Sequence, residues 1–177
     1  MSESRHILLL MLLFPALALG QTVHFEKDRV AYKGKMEFQG SNKSDNYLKA
    51  KNLLLNVVNA APDSLKENEK ENELIASASM RLPSPKHHII KTLDYKLRLK
   101  SGKDGIGYEI GNIKLNIKER GKKTKTLHAE EILKGMEENG KVSMMSETEL
   151  NEIDMHLQKL IASMQAQLRN IQPNGDN

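Results

Sequence analysis

Basic side chains at alternating positions are the feature of this 177-residue sequence that bears most directly on chemistry. Lys96, Arg98 and Lys100 alternate with apolar residues, and Lys114 and Lys118 recur in the next apolar run. Because successive side chains of a strand point to opposite faces, these five cations are expected on the face opposite the core. Ammonium and guanidinium groups in such a row can bind carboxylates or phosphates.

Two ligand classes fit this row, an acidic partner protein and the headgroups of anionic lipids. Asp94 and Asn116 share the predicted face, and the basic turn residues Lys122, Lys123 and Lys125 extend it. The alternative is a solvated face whose lysines discourage edge pairing and aggregation. The sensitivity of any binding to salt distinguishes these interpretations.

Histidines and carboxylates form no catalytic or metal-binding pattern in the sequence. No His-x-x-x-His or His-Glu-x-x-His spacing occurs, so a pair such as His128 and His156 could meet only in the fold. No nucleophile elbow, phosphate loop or dinucleotide fingerprint is present. The absence of cysteine excludes disulfides, thiolate metal sites and cysteine nucleophiles. The sequence therefore nominates no catalytic residue, no metal site and no cofactor.

Composition disfavours nucleic acid and polysaccharide as partners. The formal charge is only +4, from 27 Lys and Arg against 23 Asp and Glu, and 4% of the residues are aromatic. Nucleic-acid-binding proteins usually concentrate more basic charge, and bases or sugar rings need aromatic side chains on which to stack.

The first twenty residues are typical of a secretory signal peptide. Arg5 and His6 precede the apolar run 7–14, and the small-residue end Ala18-Leu19-Gly20 suits signal peptidase. The run is too short for a permanent membrane span, and no later segment is long and apolar enough to cross a bilayer. We therefore expect an exported protein of the periplasm or cell envelope. Residues 21–171 are predicted to form one domain, followed by a flexible tail at 172–177.

The elements that position the basic row follow from hydrophobic periodicity. A strand is predicted over Val30–Phe38, then a helix that begins at Ser44 or Asp45 and ends before Pro62. The charged stretch Asp63–Asn72 is expected to be a solvated, mobile loop.

The second half of the sequence predicts an antiparallel meander and a long terminal helix. Apolar alternation predicts strands over 73–82, 93–100 and 106–117, with a bulge at Gly111-Asn112 where the apolar parity changes. A short helix is expected from Ala129 to Met136. The capping box that begins at Ser146 starts a helix that runs to about residue 170, and its apolar stripe is expected to cover the sheet.

Three stretches resemble a known family. They are 44–51 at the start of the first helix, the strand 73–78, and the hairpin 95–110 with its Lys-Asp-Gly turn. Together they resemble secreted Bacteroidetes proteins of unknown function that have a TATA-binding-protein-like fold. The resemblance implies an α+β fold with a curved antiparallel sheet of about four to five strands and helices on one face. It implies no reaction, and the polar outer face argues against DNA binding.

We therefore expect a non-catalytic binding or accessory module. Two alternatives stay open at this point. One is an envelope hydrolase whose site forms only in the fold, which a cleft joining a histidine to carboxylates would favour. The other is a homodimer held through the apolar stripe of the C-terminal helix.

Overall fold

Alternating apolar residues build a seven-stranded antiparallel sheet in the part of the chain that the computed structural model describes, residues 22–26, 29–37, 42–84, 86–132 and 144–170. The elements are β1 (Thr22–Glu26), β2 (Arg29–Glu37), α1 (Lys43–Asn56), a 3-10 turn (Pro62–Ser64), β3 (Lys66–Asn68), β4 (Glu73–Leu82), β5 (Ile89–Gly102), β6 (Gly105–Glu119), β7 (Lys125–His128) and α2 (Met144–Asn170). The sheet order is β1-β2-β6-β5-β4-β3, and β7 pairs with β6.

This architecture confirms the predicted α+β class and corrects the number of strands. The sheet has seven strands where four to five were expected, and the additional ones are the short strands β1, β3 and β7. The short helix predicted at Ala129 is helical over residues 129–132, and its remainder lies outside the described residues. The predicted signal peptide and the tail 172–177 also lie outside them.

The hydrophobic core lies between one face of the sheet and the two helices. Leu93, Leu97 and Leu99 of β5 are fully buried on this face, as predicted from their alternation. The apolar stripe of α2 is buried in the same core: Ile153, Leu157, Ile161, Met164 and Leu168. Helix α2 begins at Met144, two residues before the predicted cap, and ends at Asn170 as expected.

Two polar contacts fasten α2 to the sheet. Lys91 Nζ lies 2.5 Å from Glu152 Oε2, and both side chains are mostly shielded from water. Burial and the hydrogen bond to Asp154 raise the pKa of Tyr32 well above its ordinary value. These contacts place α2 on the same face of the sheet as the core.

The N-cap of helix α1 lies two or three residues before the predicted caps, Ser44 and Asp45. Asn42 is the N-cap, and its Oδ1 accepts a hydrogen bond from the backbone N–H of Asp45 at 2.9 Å. Asparagine is among the best N-cap residues because its side chain satisfies an otherwise unpaired amide. The helix ends at Asn56, before Pro62, as expected.

The charged stretch after α1 is more ordered than predicted. Lys66–Asn68 forms β3 and pairs with the first residues of β4. Glu67 accepts a hydrogen bond from Tyr47 Oη at 3.0 Å and lies 2.7 Å from Lys51 Nζ, so both α1 side chains hold the strand. The bonds from Lys51 and Tyr47 lower the pKa of the Glu67 carboxyl. The expectation of a loop was wrong for Lys66–Asn68, because the partners that order these residues are distant in sequence, whereas their exposure to solvent is as predicted.

The predicted bulge is present in β6. Asp94 pairs with Lys114 and Lys96 with Gly111, so β6 carries one more residue than β5 between these pairs. Asn112 has φ +52°, the left-handed conformation that asparagine tolerates better than most residues. A bulge of this kind bends its strand and increases the local twist of the sheet.

Candidate functional site

The face of the sheet opposite the core carries the predicted basic residues. We call it the open face, because neither α1 nor α2 packs on it and the lysines and arginine along β5 and β6 are exposed. Lys96, Arg98 and Lys100 project from β5 on one side of the bulge. Lys114 and Lys118 project from β6 on the other side. The structure therefore places all five predicted residues on one surface.

Most of these cations are free to bind an external anion. Arg98 Nε lies 3.5 Å from Glu73 Oε1, and this pair is half exposed on the arginine side. Within the described ranges, no ion pair forms at Lys96, Lys100, Lys114 or Lys118.

A furrow that the sequence analysis missed runs along β6 on the open face. The outward positions of β6 before the bulge include Gly107 and Gly111, which have no side chain, and Glu109, whose side chain stands between them. A Cβ added at Gly107 would lie 3.7 Å from the nearest atom, the Lys100 carbonyl oxygen, and one at Gly111 would lie 3.9 Å from the Val30 carbonyl oxygen. Both are ordinary contact distances. The fold therefore leaves room for a side chain at either position, and the furrow exists because the residues are glycine.

Basic side chains line both sides of this furrow. Lys33 of β2, Glu109 of β6 and Arg98 of β5 are direct neighbours across three strands. One step further along the strands, Lys35 and Lys100 flank Gly107, and Lys35 Nζ lies 3.1 Å from Glu37 Oε1, so this lysine is already paired. Adjacent strands lie about 4.8 Å apart, so the two basic rows are about 10 Å apart across the furrow. The glycines at 107 and 111 can be read from the sequence. The lysines of β2 that lie beside them can be identified only from the order of the strands in the sheet.

At the bulge the furrow widens into a cavity of about 330 Å³. The cavity is lined by Gly111 and Asn112 of β6, by Ile75 of β4, and by Val30 and Ala31 near the start of β2. Its charged lining is of both signs: Lys96, Arg98, Glu109 and Glu130. Glu130 enters from the helical segment after β7, and its Oε1 accepts a hydrogen bond from the Val30 backbone N–H at 3.3 Å. The open face is therefore less uniformly basic than the sequence predicted.

Two residues that were expected on this face have a structural role. Asp94 accepts hydrogen bonds from Ser79 Oγ at 2.6 Å and from Asn116 Nδ2 at 2.7 Å. Asn116 Oδ1 in turn accepts one from Thr126 Oγ1 at 2.7 Å. This chain of bonds links β4, β5, β6 and β7. The polar atoms of Asp94 and Asn116 are therefore already hydrogen-bonded to side chains of neighbouring strands.

The histidines do not converge. His128 lies on β7 opposite Lys114, whereas His156 lies on α2 with its Nδ1 2.8 Å from the Glu152 carbonyl oxygen. His87 and His88 lie in the β4–β5 turn. No group of three or more His, Asp or Glu side chains in the described part of the chain could hold a metal ion.

Comparisons with known proteins identify the fold. The chain is similar to a TBP-like protein from Parabacteroides distasonis, with a TM-score of 0.58 at 14% identity over 81% of this chain and 97% of that one. It is also similar to a DUF4468 family protein from Bacteroides ovatus, with a TM-score of 0.56 at 9% identity over 88% of this chain and 94% of that one. The TBP-like fold predicted from the sequence is thereby confirmed.

Other comparisons give no match. No protein-family model matches the chain, and no curated protein matches it either. None of the helices in the described ranges is long and apolar enough to span a membrane.

Proposed function

We propose that this protein is an exported, non-catalytic binding module of the periplasm or cell envelope, and that its open face binds an acidic, extended segment of another envelope protein. The observation that carries the proposal is the glycine-floored furrow between two rows of basic side chains. Export is supported by the signal-like residues 1–20, and residues 21–171 would be the mature domain.

The dimensions of the furrow suit one extended peptide. A spacing of about 10 Å between the basic rows admits a single strand-like chain, whose side chains project alternately to each side. Gly107 and Gly111 let the peptide backbone approach the sheet closely, a recurrent use of glycine within a strand. Carboxylates of the peptide would then reach Lys96, Lys100 and, past the bulge, Lys114 or Lys118 by charge-assisted hydrogen bonds.

The mixed charge of the furrow favours an acidic peptide segment, rather than a membrane surface, as its ligand. Glu109 and Glu130 lie within the furrow and its cavity, where they would repel a uniformly anionic plane. A peptide can place amide or basic groups opposite these two carboxylates and acidic groups opposite the lysines. The mixed lining therefore favours a ligand with a defined pattern of charge.

The hydrolase alternative has less support. The cavity brings together two carboxylates, Glu109 and Glu130, but no histidine among the described residues that line it. Glu130 is also held by the backbone N–H of Val30. The dimer alternative has less support as well, because the apolar stripe of α2 is buried in the protein's own core.

The test is the binding of a labelled acidic peptide, measured by fluorescence anisotropy at low and high salt. The probe is an extended peptide that alternates glutamate with serine. We expect saturable binding that the triple variant Lys96→Gln, Arg98→Gln, Lys100→Gln weakens at least tenfold, since exposed charge-assisted contacts contribute about 0.5 to 1 kcal/mol each. Gly107→Val, which fills the furrow without changing the charge, should weaken binding as well.

A matched control removes the same charge elsewhere. The variant Lys43→Gln, Lys70→Gln, Lys159→Gln changes three exposed lysines, in α1, in the β3–β4 turn and in α2, and should leave the affinity unchanged. Equal losses in the control and the furrow variant would mean that net charge alone attracts the peptide. Tight binding by the Gly107→Val variant would contradict the furrow as the binding site.

A further inference from the structure

One end of the sheet concentrates the basic charge of the whole chain. The β4–β5 turn, residues 81–90, and the β6–β7 turn, residues 118–125, contain seven Lys or Arg and a single acidic residue, Glu119. We call these two turns the basic end. Their formal charge is +6, whereas the whole chain carries +4, so the rest of the chain carries −2. The protein is therefore strongly polarised, a property that its modest net charge conceals.

The two turns of the basic end lie side by side. Ile89 pairs with Glu119, and Ile90 pairs with Lys118. The backbone N–H of Arg120 also donates to the His88 carbonyl oxygen at 3.1 Å. The cations of both turns therefore form one surface, on which the described residues between 86 and 88 and between 120 and 125 are exposed.

The one carboxylate of this surface is already paired. Lys122 Nζ lies 2.8 Å from Glu119 Oε2, and this contact is the main reason that the pKa of the Glu119 carboxyl lies below its usual range. The negative charge of Glu119 therefore offsets the positive charge of Lys122. The remaining cations of the basic end have no carboxylate of their own within the two turns.

An exposed apolar residue stands among these cations. Ile90 is 40% exposed, one of three large apolar side chains that are exposed in the described ranges. It neighbours Lys118 across the strand pair. An exposed isoleucine beside a lysine has the same combination of apolar and basic groups that interfacial helices place at the boundary between headgroups and acyl chains.

A cavity of about 380 Å³ opens at the β4–β5 turn. Arg81, Lys86 and His87 contribute to its polar lining, and Leu82, Pro83 and Ile89 contribute apolar surface. Cationic groups beside apolar ones suit a phosphate group that carries a hydrocarbon tail.

We propose that the basic end docks on the surface of a bilayer that contains anionic phospholipids, with Ile90 entering the interface and the cations contacting headgroup phosphates. Of the residues proposed to bind the peptide on the open face, this surface includes only Lys118, which lies beyond the bulge. This orientation leaves the furrow, which lies at the other half of β6, accessible to a partner while the module is held at the membrane.

The test is sedimentation of the purified protein with vesicles of phosphatidylcholine alone or with about 30 mol% phosphatidylglycerol, at low and high salt. Each Lys or Arg near an anionic surface changes partition by about fivefold, so Lys86→Gln, Arg120→Gln, Lys122→Gln, Lys123→Gln should lower it by on the order of 100-fold or more. Ile90→Ser should weaken binding several-fold and leave its dependence on salt unchanged, because it removes apolar contact only.

The matched control removes four charges from other parts of the surface. Lys66→Gln, Lys70→Gln, Lys103→Gln, Lys159→Gln changes the net charge equally and should retain vesicle binding. The furrow variant Lys96→Gln, Arg98→Gln, Lys100→Gln should retain it too, so that failure of the peptide proposal and failure of this one are separable. Far-ultraviolet circular dichroism of each variant reports whether it is folded.

Three results would overturn the proposal. The first is equal binding of the wild-type protein to neutral and anionic vesicles, or binding to neither. The second is an equal loss of binding in the matched control. The third is saturable binding of inorganic phosphate at the two turns without any binding to anionic vesicles, which would assign the same side chains to a soluble anion.

Discussion

Gly34 allows the sharpest test of how the sheet and core fit together. It lies in the interior of β2, on the core face, directly opposite Tyr108 of β6. A Cβ added at Gly34 would lie 2.5 Å from Tyr108 Oη and 2.7 Å from Cζ, both well inside contact distance. Tyr108 is only 4% exposed, so its ring cannot move into water without opening the core. Gly34→Ala should therefore destabilise the protein by about 1 to 3 kcal/mol, the usual cost of overpacking.

The predicted loss of stability in Gly34→Ala is informative because it is opposite in direction to the usual effect of replacing glycine with alanine. Alanine normally stabilises a strand interior relative to glycine by about 0.5 to 1 kcal/mol, because glycine loses more backbone entropy on folding. Gly107 supplies the matched control, since it lies in the adjacent strand with room for a Cβ. Urea denaturation should give Gly34→Ala a lower midpoint than the wild-type protein and Gly107→Ala an equal or higher one.

A double-mutant cycle isolates the contact with the ring. Tyr108→Val removes the atoms nearest to Gly34 and should by itself cost about 2 to 5 kcal/mol. In that background Gly34→Ala should become neutral or stabilising, which gives a coupling energy of about 1 to 3 kcal/mol. If Gly34→Ala cost the same with and without the tyrosine ring, the steric explanation would be refuted.

Three further predictions concern polar groups that are buried or half-buried. Burial raises the pKa of Tyr95 to about 12 from an ordinary 10, so the contribution of Tyr95 to stability should fall as pH rises from 10 through 12 by about 1.4 kcal/mol per pH unit, and Tyr95→Phe should lose correspondingly less stability than the wild-type protein between pH 9 and 11.5 in urea unfolding. Asp94→Ala removes hydrogen bonds from the exposed Ser79 hydroxyl and the half-buried Asn116 amide and should lower the free energy of unfolding by about 0.5 to 1.5 kcal/mol, with Asp94→Asn milder; equal stability would mean that solvent replaces the bonds. Lys91→Met leaves Glu152 mostly shielded and unpaired and should cost about 1 to 3 kcal/mol, and the added change Glu152→Leu should restore stability in a thermal melt.

The long elements of this fold could be predicted because each contains its own evidence. Strands β4, β5 and β6 alternate over ten or more residues, and the apolar stripe of α2 recurs from Leu150 to Leu168. The bulge was visible for the same reason, since the apolar parity changes at Gly111-Asn112 within one strand. In each case the pattern is local, so no knowledge of neighbouring elements is needed.

The short strands could not be predicted because their neighbours determine them. Strand β3 is three exposed residues, Lys66–Asn68, which pair with β4 and are held by Glu67 through two side chains of α1. A sequence of charged residues contains no sign of such partners. The same reasoning applies to the wrong expectation that these three residues form a loop.

The residues of the candidate site also fall into two groups, those predicted from a local pattern and those placed by neighbouring strands. The alternation of β5 predicted Lys96, Arg98 and Lys100, and that of β6 predicted the two lysines beyond the bulge. The opposite wall of the furrow comes from β2, which is separated from β6 by about seventy residues of sequence and neighbours it only in the sheet. Glu130 reaches the cavity from yet another element. Residues that meet through strand order, unlike those that share a strand, are invisible to periodicity.

The glycines of β2 and β6 fall into two groups, those that packing within the fold requires and those that only the open face can explain. Gly34 and Gly105 have a steric reason, because a side chain at either position would overlap Tyr108 or the backbone of Met36. Gly107 and Gly111 have none. Each glycine in a strand interior costs about 0.5 to 1 kcal/mol of stability, so these two lower stability with no compensating contact inside the protein. Close approach of a ligand backbone would supply the compensation, and a substitution such as Gly107→Val should therefore preserve folding while it weakens binding.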